Sequence, residues 1–139
     1  MNTTTAPSNS TRSLADAPRI PLISIVDDDD SVRQALKSLI DSVGFRAEVF
    51  ESGEEFLKSP YVSQTDCLIA DVRMPGMSGL ELQERLNAAH SSIPIVFISA
   101  HDDSDARVRG LRAGAVDFLK KPFSEDALLG AISTSLDRS

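Results

Sequence analysis

The stretch Leu22-Ile23-Ser24-Ile25-Val26-Asp27-Asp28-Asp29-Asp30 decides how the rest of the chain reads. Its first five residues are an apolar, β-branched-rich run entered through Pro21 and ended by four carboxylates, the pattern of a strand buried on both faces. Directly after it, Val32, Ala35, Leu36, Leu39, Ile40 and Val43 recur at the three-four spacing of one helical face, and Gly44 supplies a left-handed stop. A short buried strand followed at once by an amphipathic helix is one βα unit.

Working outward, the unit repeats until there are five. Phe45 to Phe50 reads as a strand and Glu54 to Lys58 as a short helix. Cys67-Leu68-Ile69-Ala70 runs into Asp71, and a Pro-Gly loop from Met74 to Ser78 leads to a helix over Gly79 to Ala89, with Leu82, Leu86 and Ala89 inward. Ile95-Val96-Phe97-Ile98 is the fourth strand, followed by a helix over Asp102 to Ala113 that Gly110 weakens. Ala115 to Leu119 is the last strand, and Ser124 caps a last helix reaching Leu136. Uninterrupted apolar strands alternating with helices require right-handed crossovers, so the fold class is α/β: a doubly wound parallel sheet with helices on both faces. Such sheets place their chemistry at the carboxyl edge, immediately after the strands.

Composition bounds the rest. With 139 residues and 41% hydrophobic content, the chain has one core and one domain. The segment Met1 to Arg19 is rich in Thr, Ser, Asn, Ala and Pro and poor in large apolar groups, so residues 1–20 are expected to be a disordered polar tail and 21–139 the folded domain. Fourteen basic against 21 acidic side chains give a net charge of -7, which argues against direct binding of nucleic acid or anionic membrane. The single Cys67, with only His90 and His101 as further soft ligands, builds neither a disulfide nor a zinc cluster, as suits a reducing cytoplasm. No apolar run of membrane-spanning length and no export signal is present.

The strand ends carry a short set of polar groups: Asp27 and Asp28 after the first, Asp71 after the third, Ser99 after the fourth and Lys121 after the fifth. Carboxylates about 4 Å apart repel by roughly 4 kcal/mol per pair at an effective dielectric near 20, so this edge needs a cation or must take up protons. Oxygen-only ligands select a hard ion, and Mg²⁺ fits. Two acids on the metal leave Asp71 as a nucleophile toward phosphorus, because carboxylates form aspartyl phosphates; Lys121 and the Ser99 hydroxyl are suited to the equatorial oxygens. Taken singly, each residue has a plainer reading. Asp29 or Asp30 is placed to cap the first helix, Asp71 is a turn residue, Ser99 a loop hydroxyl, and Lys121 a solvated charge with Lys120 competing for its role. Their coincidence at four strand ends favours one shared reaction.

The segments IVDDDDSVRQAL, LIADVRMPGMSGLEL, VFISAH and AGAVDFLKKPF, in this order, resemble the receiver domain of two-component response regulators, a CheY-like family, in the style of the nitrogen-fixation-type regulators. The resemblance covers about Leu22 to Leu136. It implies a flavodoxin-like five-stranded sheet of order 2-1-3-4-5 and Asp71 as phosphoacceptor. It also implies Mg²⁺ bound by Asp28, Asp71 and the backbone carbonyl of Arg73, with Asp27 acting mostly through water. Ser99 matches the switch hydroxyl, in place of the commoner threonine, and Phe118 the switch aromatic, without a tyrosine hydroxyl. Lys121 matches the motif lysine before a cis Pro122, while Arg73 and His101 match positions that tune hydrolysis of the acyl phosphate.

By the same resemblance the partner is a sensor histidine kinase or phosphotransfer protein, and the chain is a phosphoacceptor and not an enzyme. Output is expected on the face of the fourth helix, fifth strand and fifth helix, a homodimer surface in the family, with Arg107, Asp117 and Lys120 nearby as pairing charges. The motifs look like those that precede a helix-turn-helix domain, yet three residues follow Leu136; a free-standing receiver is favoured over a piece of a transcriptional regulator. Two other classes stay in view: a small Mg²⁺ phosphatase with its nucleophile after the first strand, whose spacing Asp28, Asp30 and Ser31 imitate, and a scaffold that uses the fold without phosphorylation.

Overall fold

The computed structural model describes residues 19–138. The tail expected over residues 1–20 therefore lies outside the described residues except for Arg19 and Ile20. Arg19 Nη2 donates to Asp66 Oδ1 at 2.6 Å. The elements are β1 (Leu22–Val26), α1 (Asp30–Ser42), β2 (Arg46–Phe50), α2 (Gly53–Lys58), a 3₁₀ turn (Val62–Gln64), β3 (Cys67–Asp71), α3 (Gly79–Ala88), β4 (Ile95–Ser99), α4 (Ser104–Arg112), β5 (Asp117–Lys120) and α5 (Glu125–Arg138). The five strands are parallel in the order β2-β1-β3-β4-β5, as anticipated.

Side chains alternating along the strands fill two hydrophobic clusters, one on each face of the sheet, where composition alone suggested a single core. Ile23, Ile25, Cys67, Ile69, Val96 and Ile98 pack with Leu36 and Ile40 of α1 and Leu128 and Ile132 of α5. Val26, Leu68, Ala70, Ile95 and Phe97 pack on the other face with Phe56 of α2, Leu82 and Leu86 of α3 and Ala106 of α4. Both faces of β1, β3 and β4 are buried along their whole length, which is why these strands read as unbroken apolar runs.

Several boundaries differ from the sequence reading, and one device explains them. α1, α3 and α4 all end in a left-handed residue flanked by paired backbone bonds back into the last turn: Gly44 at φ 91°, His90 at φ 57° and Gly114 at φ 107°. Phe45 N–H donates to the Ile40 carbonyl, Ser91 to Leu86, and Ala115 to Gly110. Phe45 and Ala115 thereby spend their amides on closing helices, so β2 starts at Arg46 and β5 at Asp117. Ala89 is an exposed cap and not an inward residue; Leu80 and Gln83 join Leu82 and Leu86 in the buried face of α3. Ala35 and Val43 are likewise exposed, and Arg33 takes a buried place on α1 instead. Gly110, which looked like a weakness, is a contact requirement, because a Cβ there would come within 2.9 Å of the Phe97 ring.

Candidate functional site

The carboxyl edge gathers the acids. β1 delivers Asp27, fully buried, and then Asp28, exposed; β3 ends in the buried Asp71. One carboxylate oxygen of each lies within 4.8 Å of the others. Lys121, leaving β5 through a cis bond to Pro122, reaches back across the edge. Its Nζ is 2.9 Å from Asp27 Oδ2 and 3.6 Å from Asp71 Oδ2. Lys120, its rival in the sequence reading, is exposed.

Local structure fixes each acid. Asp29, not Asp30, caps α1 by accepting from the amides of Ser31 and Val32. Asp27 Oδ1 accepts the amide of Asp29 at 2.9 Å, so both Asp27 oxygens are engaged by the protein. Beneath the turn lies a residue that sequence reasoning missed: Arg33, whose Nη1 donates to the Asp27 carbonyl at 2.7 Å and whose Nη2 lies 3.0 Å from Asp30 and 3.6 Å from Glu51. Its signal was available, since Arg33, Leu36 and Ile40 share one helical stripe and a charge on such a stripe calls for buried acceptors.

Electrostatics follow from the crowding. Burial, then the charge of Asp27, pushes the Asp71 carboxyl up to about 6, against the pull of Lys121 and of the Arg73 amide. Burial draws the Lys121 ammonium down, but its bond to Asp27 and the charges of Asp71 and Asp27 outweigh this and leave it raised, firmly charged at neutral pH.

The remaining residues flank the trio. Ser99, fully buried at the end of β4, accepts the amide of His101 at 3.1 Å, while the His101 side chain is exposed. The Arg73 amide approaches Asp71 Oδ1 at 3.4 Å, and its guanidinium reaches Asp103 Oδ2 at 2.5 Å. Asp103 is the second missed residue; its place before a helical run was the readable sign. Phe118 is buried, 6.3 Å from Phe97 between ring centroids, and the Arg107 guanidinium stands 6.0 Å over its ring while Nη1 donates to the Phe118 carbonyl. Asp117 accepts the Phe118 amide at 2.8 Å, so Arg107 and Asp117 are both engaged within the chain. Among the described residues, no helix is long and apolar enough to cross a membrane.

Comparison with known proteins places this geometry. The family model for the response regulator receiver domain matches residues 23–133. The response regulator protein TodT of Pseudomonas putida is 49% identical over 118 residues, covering 85% of this chain and 52% of the relative. The transcriptional regulatory protein FixJ of Bradyrhizobium diazoefficiens is 39% identical over 114 residues, covering 82% of this chain and 56% of the relative. The chain thus spans about half the length of these relatives. Among solved structures, the response regulator StyR superposes with a TM-score of 0.80 at 50% identity, over 86% of this chain and 60% of that one. The FixJ N-terminal domain gives 0.78 at 34% identity, over 86% and 96%. With a parallel sheet of order 2-1-3-4-5 and its acids gathered at the carboxyl edge, this chain belongs to the response regulator receiver domain family.

Proposed function

We propose that Asp71 accepts a phosphoryl group from a phosphohistidine on a sensor kinase or phosphotransfer protein in the cytoplasm. An Asp71 oxygen forms the new P–O bond as the P–N bond to imidazole breaks. The electron pair of that bond returns to the ring nitrogen, which takes a proton from water, and Asp71 becomes an acyl phosphate. The observation that carries this reading is the convergence of Asp27, Asp28 and Asp71 with a lysine spanning two of them.

The donor set fits Mg²⁺, being all oxygen, crowded with negative charge and open to water at Asp28. Asp28, Asp71 and the Arg73 carbonyl would hold the ion directly. Asp27, whose two oxygens already accept from Lys121 and Asp29, would reach it mostly through water. When bound, the ion neutralises the acids and the phosphoryl oxygens. Lys121 offers a second positive charge, 3.6 Å from Asp71 Oδ2. Ser99 already accepts from His101, so toward an incoming phosphoryl oxygen its hydroxyl serves as a donor. Drawing Ser99 toward that oxygen biases the packing around Phe118 and with it the α4-β5-α5 face, where Val108 and Leu111 are exposed. The same face offers a self-association surface. Arg73 and His101 flank the acyl phosphate and set its lifetime, measured as decay of labelled protein in Arg73→Ala and His101→Ala.

The phosphatase reading gains no support, because Asp30 faces Arg33 and solvent instead of the acidic trio. The deciding experiment treats the chain with a small acyl phosphate and Mg²⁺. One phosphoryl group per chain, lost in Asp71→Ala, is expected. Sustained release of phosphate from esters, or label surviving in Asp71→Ala, would falsify the assignment.

A further inference from the structure

Asp103 makes two bonds with one carboxylate. Its Oδ1 accepts the amide of Ala106 at 3.0 Å and caps α4, while its Oδ2 accepts from Arg73 Nη2 at 2.5 Å. Arg73 is in turn joined to the acceptor, since its own amide lies 3.4 Å from Asp71 Oδ1. A continuous path therefore runs from Asp71 through Arg73 and Asp103 to the first turn of α4. The ion pair is poorly suited to stabilising the fold, because the Arg73 side chain is 55% exposed and solvent screens such pairs. What it does is tie two loops that are 30 residues apart across the mouth of the acidic edge. Ala106, whose amide is capped, is buried in the same core cluster as Phe97 and Phe118, so a change in this cap is felt where α4 meets the sheet.

We infer that Asp103 and the acceptor compete for Arg73, making Asp103 a positioning residue that holds the first turn of α4 only while Asp71 is unmodified. The inference rests on Asp71 being the acceptor. Arg73 stands between two anionic sites, with its backbone amide at Asp71 and its guanidinium at Asp103. Without modification, Asp71 has Lys121 beside it, and Arg73 turns to Asp103. An acyl phosphate brings close to two negative charges and several strong acceptor oxygens to the neighbourhood of the Arg73 backbone. The planar guanidinium can pair two of its N–H groups with two oxygens of such a group, a stronger match than a single shared carboxylate oxygen. Once Arg73 leaves, Asp103 loses the charge that fixes its rotamer, and its bond to the Ala106 amide weakens. The first turn of α4, on the helix that carries the exposed Val108 and Leu111, then gains freedom.

The test reads the Ala106 amide by hydrogen exchange in the isotopically labelled full chain, with and without acyl phosphate treatment in Mg²⁺, while mass spectrometry counts the phosphoryl groups. Modification is expected to speed Ala106 exchange about fivefold, the factor carried by one N-cap interaction. In Arg73→Met the exchange is fast in both states. Asp103→Asn keeps a capping oxygen but has no charge to share, so its exchange is the same with and without the phosphoryl group. Modified wild-type protein with unchanged Ala106 exchange overturns the competition and leaves the acceptor assignment intact, as does a response that persists in both variants. Failure to modify Asp71 at all overturns the acceptor assignment and this inference together.

Discussion

Replacing Asp71 by Asn removes one of the three converging charges while keeping the size of the side chain. Burial and the neighbouring Asp27 raise this carboxyl from 3.8 to about 6, even with Lys121 and the Arg73 amide opposing them. At about 1.4 kcal/mol per tenfold change in an ionisation equilibrium, holding Asp71 ionised in the fold at about pH 7.5 costs about 3 kcal/mol relative to the unfolded chain. Only 9% of the side chain is exposed, so solvent screening removes little of this. The sign follows from the direction of the shift. The folded form binds the proton more tightly, so the stability Asp71 confers is complete below about pH 4 and drains away as the pH rises through about 6. Asn has no such dependence. Asp71→Asn is therefore expected to exceed the wild type by about 3 kcal/mol at about pH 7.5, by about half that near pH 5, and to match it near pH 3.5. Urea unfolding followed by far-ultraviolet circular dichroism, in chelator, gives these differences from the midpoints if the slopes agree. Added Mg²⁺ should narrow the gap at about pH 7.5, because the wild type keeps all three acids to bind it. A neutral or destabilising effect at about pH 7.5 in chelator, or a gain that persists near pH 3.5, refutes the reasoning.

Three further substitutions probe the supports of the site. In Gly79→Ala, the new Cβ would overlap the carbonyl oxygen of Asp71 and sit 3.0 Å from the Val72 Cα, so the end of β3 must shift. A loss of about 1–3 kcal/mol in urea and acyl phosphate formation slowed about 100-fold are expected. Arg33→Met leaves the Asp27 carbonyl without its buried donor, for an expected loss of about 2 kcal/mol together with weaker Mg²⁺ binding by calorimetry. Burial pushes the Cys67 thiol up to about 11, so in the native chain at about pH 8 it should resist a disulfide probe that labels it at once in urea. Because the unfolded thiol ionises first, stability is expected to fall by up to about 3 kcal/mol between about pH 9 and 11, a fall missing from Cys67→Ala.

What the sequence made legible was whatever repeats at short range. β4 is buried at every position, so its apolar run needed no context to be read as a strand. The site residues were found by a similar local rule, since Asp71 and Ser99 end strands, Asp27 and Lys121 follow them directly, and the parallel topology converts that into one edge. The misread residues depend on contacts that periodicity does not encode. His90 occupies a left-handed position that usually calls for glycine, so the end of α3 carried no glycine signal and Ala89 was counted inward. Arg33 was passed over because the helical stripe was read for apolar residues alone, and its acceptor Glu51 arrives from the end of β2. Asp103 finds Arg73 at a separation of 30 residues, and Lys121 finds Asp27 at 94. Charge pairing at such distances is a property of the assembled edge.

The same crowding that lowers the stability of this edge makes it responsive. Arg33 is shared among the Asp27 carbonyl, Asp30 and Glu51, while Lys121 is the charge placed between Asp27 and Asp71. A site whose charges were already balanced would have little differential energy to offer a bound cation or a transferred phosphoryl group, and a ligand shifts an equilibrium only by that difference. The raised Asp71 carboxyl measures the imbalance in the free chain, and the buried Asp27, held at both oxygens, keeps it from relaxing by rotation. The cost is concentrated where Asp27 and Asp71 stand at the strand ends, so the fold tolerates the stored repulsion and the edge retains it for a bound cation or phosphoryl group.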